Sequence, residues 1–375
     1  MIVVNARFLT QELRGVQRFA EQVCLALQPL RDDLLFVAPH GIKLHGAAKQ
    51  LKVRCIGTHQ GHLWEQYDLP RYLQRQGKPL LVSLCSTAPL LYHNQIATHH
   101  DITYVRHPES YTRLFRTLYR LATPLMLKRI KALITVSNFS RNEIAQHYGY
   151  PADRIFVVPN AVSDAFRPKP SPEPEHAYLL AVSSPSAHKN FSRMIAAFLM
   201  LQGHEQTHLH IVGAANGIFS DPDLQRLAEG EPRIRFLGRL SDAQLIKQYQ
   251  GATAFVFPSL YEGFGIPPLE AQACGCPVLA ANAASIPEVL QSSALYFDPL
   301  SVAHISRAMA LALDTPSLQQ NLRQLGLDNV ARFSWEYSAH LVSQRIDAVL
   351  AQSPVLPKSA PNNTGSVFDE NRYRP

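Results

Sequence analysis

The sequence predicts an α/β protein of two doubly wound parallel-sheet domains, and three observations carry that expectation. The chain has 375 residues, too many for one small core and suited to two domains of ordinary size. Short β-branched apolar runs alternate with longer helical patterns along its length. Between the two halves, Pro168, Pro170, Pro172 and Pro174 form a stretch that can continue neither a helix nor a central strand.

In the first half, candidate strands lie at 2–4, 34–38, 80–84, 96–99, 133–136 and 156–158. In the second half they lie at 178–182, 208–212, 234–237, 254–257, 278–280 and 295–297. Helical patterns at 17–27, 191–201, 243–249 and 269–274 separate several of them. Strands that are apolar throughout and divided by helices imply parallel sheets covered on both faces. The expected division is a domain at 1–167, a stiff linker at 168–176 and a second domain at 177–333. A helix at 334–351 is placed to fold back on the first domain, and 352–375 has the aperiodic composition of a disordered tail.

Hydrophobic residues make up 46% of the chain and charged residues 17%, so a sizeable core is available. The net charge of +7 is uneven: residues 1–170 carry about +11 and the remainder about −4. A basic half predicts an anionic partner on one side only. No apolar run approaches the roughly 18 residues needed to span a bilayer, and no signal peptide follows the opening strand, so a cytoplasmic protein is expected. Five scattered cysteines without a CxxC pair read as reduced core thiols and not as a zinc site. Nucleic-acid-binding signatures are absent, and so is a G-x-G-x-x-G fingerprint after a strand.

The segment richest in chemistry runs from the apolar strand at 254–257 through Glu262-Gly-Phe-Gly-Ile-Pro-Pro-Leu-Glu270. Pro267 and Pro268 mark a helix start, where a missing N–H costs nothing. The backbone N–H groups of Gly263, Phe264, Gly265 and Ile266 then form an anion site at the helix N-terminus. Glu262 falls on the loop and Glu270 is expected in the first helical turn. Two carboxylates flanking such a site suit hydroxyl-rich groups on either side of a phosphate, although an acid in a first turn also serves as a helix cap. Lys189 ends the loop after strand 178–182 and precedes a helix, the placing of a phosphate-binding lysine.

This run resembles the E-x7-E motif of the retaining glycosyltransferases of family 4, whose GT-B fold has two facing Rossmann-like domains. Other segments resemble that family in the same order: Asn5-Ala-Arg-Phe-Leu with Gly15-Val-Gln-Arg, then His100-Asp101, Thr135-Val-Ser-Asn and Val158-Pro-Asn. Ser285-Ile-Pro-Glu288 and Phe333-Ser-Trp-Glu follow, so the likeness covers roughly residues 1–350. It implies that Glu262 approaches the transferred sugar, Glu270 holds the nucleotide ribose and Lys189 neutralises the diphosphate. It also implies that His100 contacts the sugar and that Gly15 leaves room for the diphosphate. As a lone histidine, His100 also fits a structural place.

The family's usual arginine before the lysine is missing; Ser183, Ser184 and His188 stand in its loop, where a hydroxyl or His188 is the candidate replacement. Ala161 and Ser163 replace the more usual Gly and Asp. The resemblance implies a nucleotide-sugar donor, retention of anomeric configuration and a departing phosphate that accepts the acceptor's proton. No metal is expected, because Asp221-Pro-Asp223 reads as a turn and helix cap. The wording of the motif is nearest to mannosyltransferases using GDP-mannose, with UDP-glucose or a deoxysugar donor next. A glycan or polyprenyl-diphosphate-linked acceptor is implied, as in bacterial surface polysaccharide and lipopolysaccharide assembly. An epimerase or a non-catalytic nucleotide-sugar binder would use a similar pocket. Finally, Arg113, Arg116 and Arg120 share a helical face beside Leu114, Leu118, Leu121 and Leu125, a pattern for peripheral binding to an anionic membrane that Pro124 interrupts.

Overall fold

The computed structural model describes residues 1–170, 174–183, 186–213 and 230–352. The first sheet has seven parallel strands in the order β3-β2-β1-β4-β5-β6-β7. They are β1 (Ile2–Asn5), β2 (Leu34–Ala38), β3 (Arg54–Cys55), β4 (Leu80–Ser83), β5 (Gln95–Thr98), β6 (Ala132–Thr135) and β7 (Ile155–Val157). The second sheet has six parallel strands in the order β10-β9-β8-β11-β12-β13. These are β8 (Tyr178–Val182), β9 (His208–Val212), β10 (Ile234–Gly238), β11 (Ala254–Phe257), β12 (Val278–Ala281) and β13 (Leu295–Phe297). The expected strands form within a residue or two of their predicted ends. The sequence reading missed β3, a two-residue exposed edge strand with no apolar run to announce it. Cys55 lies on that strand and is exposed, unlike the buried Cys24, Cys274 and Cys276.

Each sheet reverses its strand order once, between β1 and β4 and between β8 and β11. At such a reversal the loops leaving the two strands diverge to opposite faces and open a crevice at their carboxyl ends. Strands buried on both faces, such as β1, β4, β6 and β11, hold these crevices rigid.

Helix Trp335–Ala351 lies against helix Gly15–Leu27 of the first half, with the Trp335 ring edge 6.3 Å from Phe19. Ser338 Oγ donates to the Pro159 carbonyl at 2.7 Å, and Arg31 pairs with Asp347 at 2.6 Å. The basic segment is one helix, Arg113–Leu127, which runs through Pro124. The proline removes one N–H donor without ending the helix, contrary to the interruption expected from sequence.

The two sheets meet along a seam of polar contacts. Glu288 accepts hydrogen bonds from the Asn138 and Phe139 backbone N–H groups at 2.7 and 2.8 Å. It thereby caps helix Asn138–Tyr148 from across the seam, where a carboxylate complements the helix dipole. Arg18 pairs with Asp242 at 3.0 Å, and Ser110 meets His188 at 2.8 Å.

Candidate active site

Both principal candidates lie at the strand-order reversal of the second sheet. The loop after β8 ends in a turn at Ala187–Lys189, and Asn190 then takes a left-handed conformation (φ 60°) that starts helix Phe191–Leu199. Asn190 Nδ2 donates to the carbonyls of Pro258 and Pro299 at 3.1 and 2.8 Å, fastening this loop to those after β11 and β13. The Leu260 N–H donates to the His188 carbonyl at 2.8 Å and closes the two loops together. Lys189 Nζ consequently stands 2.7 Å from Glu262 Oε1, with both side chains about 15% exposed. The cation and the acid singled out separately in the sequence thus form one ion pair, and Ser285 Oγ holds the Glu262 carbonyl at 2.9 Å.

At Gly263 the two halves approach closely. A Cβ added there would stand 2.8 Å from Asp101 Cβ and 3.2 Å from the His100 carbonyl oxygen, closer than side chains pack. The Gly263 carbonyl accepts from Ser137 Oγ at 2.7 Å and from Ser140 Oγ at 3.2 Å. Gly265 follows with φ 94°, a value that favours glycine, and helix Ile266–Ala273 begins immediately after it. Phe264 turns its ring against Phe333, centroids 5.6 Å apart, which leaves its backbone for the cleft. Gly15 opens its helix opposite Ile266, whose δ-methyl lies 3.8 Å from the position of a Gly15 Cβ.

Because the helix starts at Ile266, Glu270 lies in its second turn and not in the first, as the sequence had suggested. That position makes it a poor cap. Its carboxylate is only 7% exposed and accepts from the Tyr249 hydroxyl at 3.3 Å. Burial pushes its pKa up to about 7, and nearby Arg18 opposes that rise.

His188 is not placed as a free cation in this structure. It is buried, its Nδ1 is engaged with Ser110, and burial together with Lys189 and His107 pushes its pKa down to about 3. His100 is also buried and held below the usual histidine range by burial, with Nε2 3.2 Å from the Leu84 carbonyl and its ring edge-on to Phe19 at 5.0 Å. Its backbone carbonyl accepts from Thr135 Oγ1 at 3.1 Å. Ser184 and the Asp221/Asp223 pair lie outside the described residues. Among the described residues, no group of three His, Cys, Asp or Glu side chains is arranged to hold a metal.

Sequence reasoning passed over Arg18, Ser137, Ser140 and Tyr249. Ser137 precedes a helical run and signals an N-cap, but its second partner across the seam leaves no local trace in the sequence.

A cation, a helix N-terminus and two carboxylates lie together at the seam between two doubly wound domains, an arrangement able to bind a diphosphate between hydroxyl-rich groups. The comparisons make the class specific. A family model described as Glycosyltransferase Family 4 matches residues 13–166, and one described as Glycosyl transferases group 1 matches residues 162–327. O-antigen chain mannosyltransferase B of Escherichia coli is 32% identical over 64% of this chain and 67% of its own length. Serotype-specific mannosyltransferase WbdA of the same organism is 31% identical, over 60% of this chain but 30% of its own length, so the chain spans only part of that relative. The GDP-mannose:cellobiosyl-diphosphopolyprenol alpha-mannosyltransferase of Komagataeibacter xylinus is 24% identical over 72% of this chain and 69% of its own. A glycosyltransferase structure from Rickettsia africae superposes with a TM-score of 0.73 over 94% of this chain and 99% of its own, at 16% identity. The chain belongs to the group 1/family 4 glycosyltransferases and has their GT-B fold.

The Glu270 environment makes a prediction about stability. A carboxyl raised from about 4.5 to about 7 in the folded state binds its proton more tightly there than in the unfolded chain. Stability from this group is therefore present below pH 4.5 and lost as pH rises to 7, by an amount on the order of 3 kcal/mol. The buried histidines act in the opposite direction over part of this range, so a difference measurement is needed. In urea unfolding at pH 5 and pH 8, Glu270→Gln should gain stability relative to the parent chain as pH increases. A difference independent of pH would contradict the buried, proton-retaining Glu270.

Proposed function

We propose that the chain is a retaining hexosyltransferase that moves mannose from GDP-mannose to the glycan of a polyprenyl-diphosphate-linked acceptor in bacterial surface-polysaccharide assembly. The observation that carries this reading is the Lys189–Glu262 pair beside the N-terminus of helix Ile266–Ala273 at a strand-order reversal. The mannosyltransferase relatives, one of them named for GDP-mannose and a diphosphopolyprenol, support the donor and acceptor.

The chemical difficulty is charge on the departing diphosphate. Lys189 and the backbone N–H groups of Gly263–Ile266 stabilise it in a site narrowed by the touching domains. Lys189 exchanges Glu262 for the phosphate, and Glu262 is released to hydrogen-bond the sugar. The Glu270 carboxylate receives the ribose hydroxyls. The acceptor's proton passes to the departing phosphate oxygen, so no protein nucleophile is needed, and Lys189 takes the place a metal would occupy. His188 contributes position and not charge, which leaves Lys189 as the principal side-chain cation of this loop.

Removing one preorganised donor costs about 2.7–4 kcal/mol of barrier. Lys189→Ala should therefore turn over GDP-mannose at least about a hundredfold more slowly with the fold intact. A nucleotide-sugar panel scored by nucleotide release checks both statements: near-parental turnover by Lys189→Ala rejects the phosphate role, and preference for another donor rejects GDP-mannose.

The excess charge of the first half has a separate destination. No described helix is long and apolar enough to cross a membrane. Helix Arg113–Leu127 instead exposes Leu114 (81%), Leu118, Leu121 (66%) and Leu125 beside its arginines. Apolar side chains at the surface beside basic ones suit shallow insertion at an anionic bilayer on the cytoplasmic face. The chain should float with phosphatidylglycerol vesicles at low salt, and Leu114→Glu with Leu121→Glu should reduce the bound fraction at least fivefold. Absence of flotation by the parent chain would remove the membrane contact.

A further inference from the structure

Glu270 is an acid buried on helix Ile266–Ala273, where water solvates it poorly. An ionised carboxylate in such a place needs a hydrogen-bond donor, and here a residue of another helix supplies it. Tyr249, on helix Asp242–Gly251, donates its hydroxyl to Glu270 Oε2 at 3.3 Å. The phenol is itself only 1% exposed, and burial beside Glu270 pushes its pKa well above the usual phenol range. It therefore keeps its proton next to the carboxylate, which settles which group donates.

That hydroxyl has little freedom. The Tyr249 ring packs edge-on to Phe255 of β11, centroids 5.5 Å apart, and against Phe166 at 6.3 Å. Its helix starts on a capping box, in which Ser241 and Gln244 each satisfy the other's backbone N–H. At the far end, Tyr178 Oη donates to the Gln248 carbonyl at 2.8 Å. Gly251 admits that phenol, since a Cβ there would stand 2.6 Å from Tyr178 Oη. Both ends of the helix are thus tied down, and Tyr249, next to Gln248, is held against Glu270.

The other groups facing Glu270 act through space. Arg18, from helix Gly15–Leu27 of the first domain, commits its Nη2 to both oxygens of Asp242 at 3.0 and 3.1 Å. The arginine favours the ionised form of Glu270, and Asp242 disfavours it. Cys274, one turn further along the helix, has a thiol that burial pushes up to about 12, so it adds no charge near neutrality. Of these groups, Tyr249 is the one that meets the carboxylate at hydrogen-bond distance.

We propose that Tyr249 is a positioning residue for the nucleotide: its hydroxyl holds Glu270 Oε2, keeps the carboxylate ionised and turns Oε1 toward the 2′- and 3′-hydroxyls of ribose. The proposal rests on the assignment of Glu270 to the ribose made above, and adds the group that makes this acid fit for the task. A vicinal diol donates two hydrogen bonds. A carboxylate accepts them better than a carboxylic acid, which keeps one oxygen for its own proton. The balance is close, because burial raises Glu270 to about 7 even with Arg18 and Tyr249 opposing the rise. Without the hydroxyl the rise is larger, so recognition of the diol fails at a higher pH.

Calorimetric titration of GDP and of 2′,3′-dideoxy-GDP between pH 6 and pH 9 isolates the diol, because phosphate ionisation is common to both and cancels in the ratio of their Kd values. The parent chain should prefer GDP by about tenfold or more at pH 9, and the preference should fall as pH drops through about 7. Tyr249→Phe should move the midpoint of that fall up by about one pH unit and lower the preference at pH 7.5 by about threefold or more. Its Kd for the dideoxy nucleotide should stay within about twofold of the parent value, which separates the effect from a folding defect. In a Glu270→Gln background, Tyr249→Phe should lower the preference no further. A parental preference and midpoint in Tyr249→Phe would overturn the proposal. So would a preference lowered by the same factor at every pH, the signature of lost packing alone. If Glu270→Gln itself keeps the parental preference, the ribose assignment fails; if Glu270→Gln loses it and Tyr249→Phe does not, the positioning role alone fails.

Discussion

A glycine at position 263 allows two backbones to meet, and most of the site depends on that approach. Any side chain there would collide with Asp101, and the carbonyl it carries is the shared acceptor of Ser137 and Ser140. The contact fixes the loop of Glu262 against the carboxyl end of β5 and brings the N-terminus of helix Ile266–Ala273 beside helix Gly15–Leu27. Glu288 and the Arg18–Asp242 pair bridge the same seam, but each is a polar contact with partial access to solvent and contributes modestly. The close approach of backbone is the part that admits no substitute.

Electrostatics within the seam are economical. Lys189 and Glu262 neutralise each other at 2.7 Å in a setting where an unpaired charge would be costly. A diphosphate can replace Glu262 as the lysine's partner because it brings more negative charge and adds the helix N–H groups to the exchange. Glu270, Arg18 and Asp242 form a second charged group nearby, in which burial holds the Glu270 carboxyl close to neutrality in pKa. Burial lowers the pKa of both His100 and His188, which favours their neutral forms. The surplus of +11 lies in the first half, which does not carry Lys189.

Strand runs that are apolar on both faces are readable without coordinates, and β1, β8 and β11 formed where their periodicity placed them. Chemistry carried by a local motif was also legible: the loop, the two prolines and the two glutamates are contiguous. What was not legible is whatever depends on two distant segments. No local pattern shows that Lys189 and Glu262 pair or that Glu288 caps a helix of the other domain. Glu270 lies one residue further into the helix than a start at Pro267 implies, because Ile266, directly after the left-handed Gly265, is the first helical residue. Helix Arg113–Leu127 passes through Pro124 because flanking packing of Thr123, Met126 and Leu127 outweighs one lost hydrogen bond.

The exchange of Lys189 from Glu262 to phosphate is the central claim, and calorimetric titration of the nucleoside diphosphate into a double-mutant cycle tests it most directly. Glu262→Gln should tighten nucleotide binding when Lys189 is present, because the lysine no longer has to leave a carboxylate. The gain should shrink in the Lys189→Ala background, where only general repulsion is relieved. An equal gain in both backgrounds would show that the two residues do not share the phosphate site, and the account would fail.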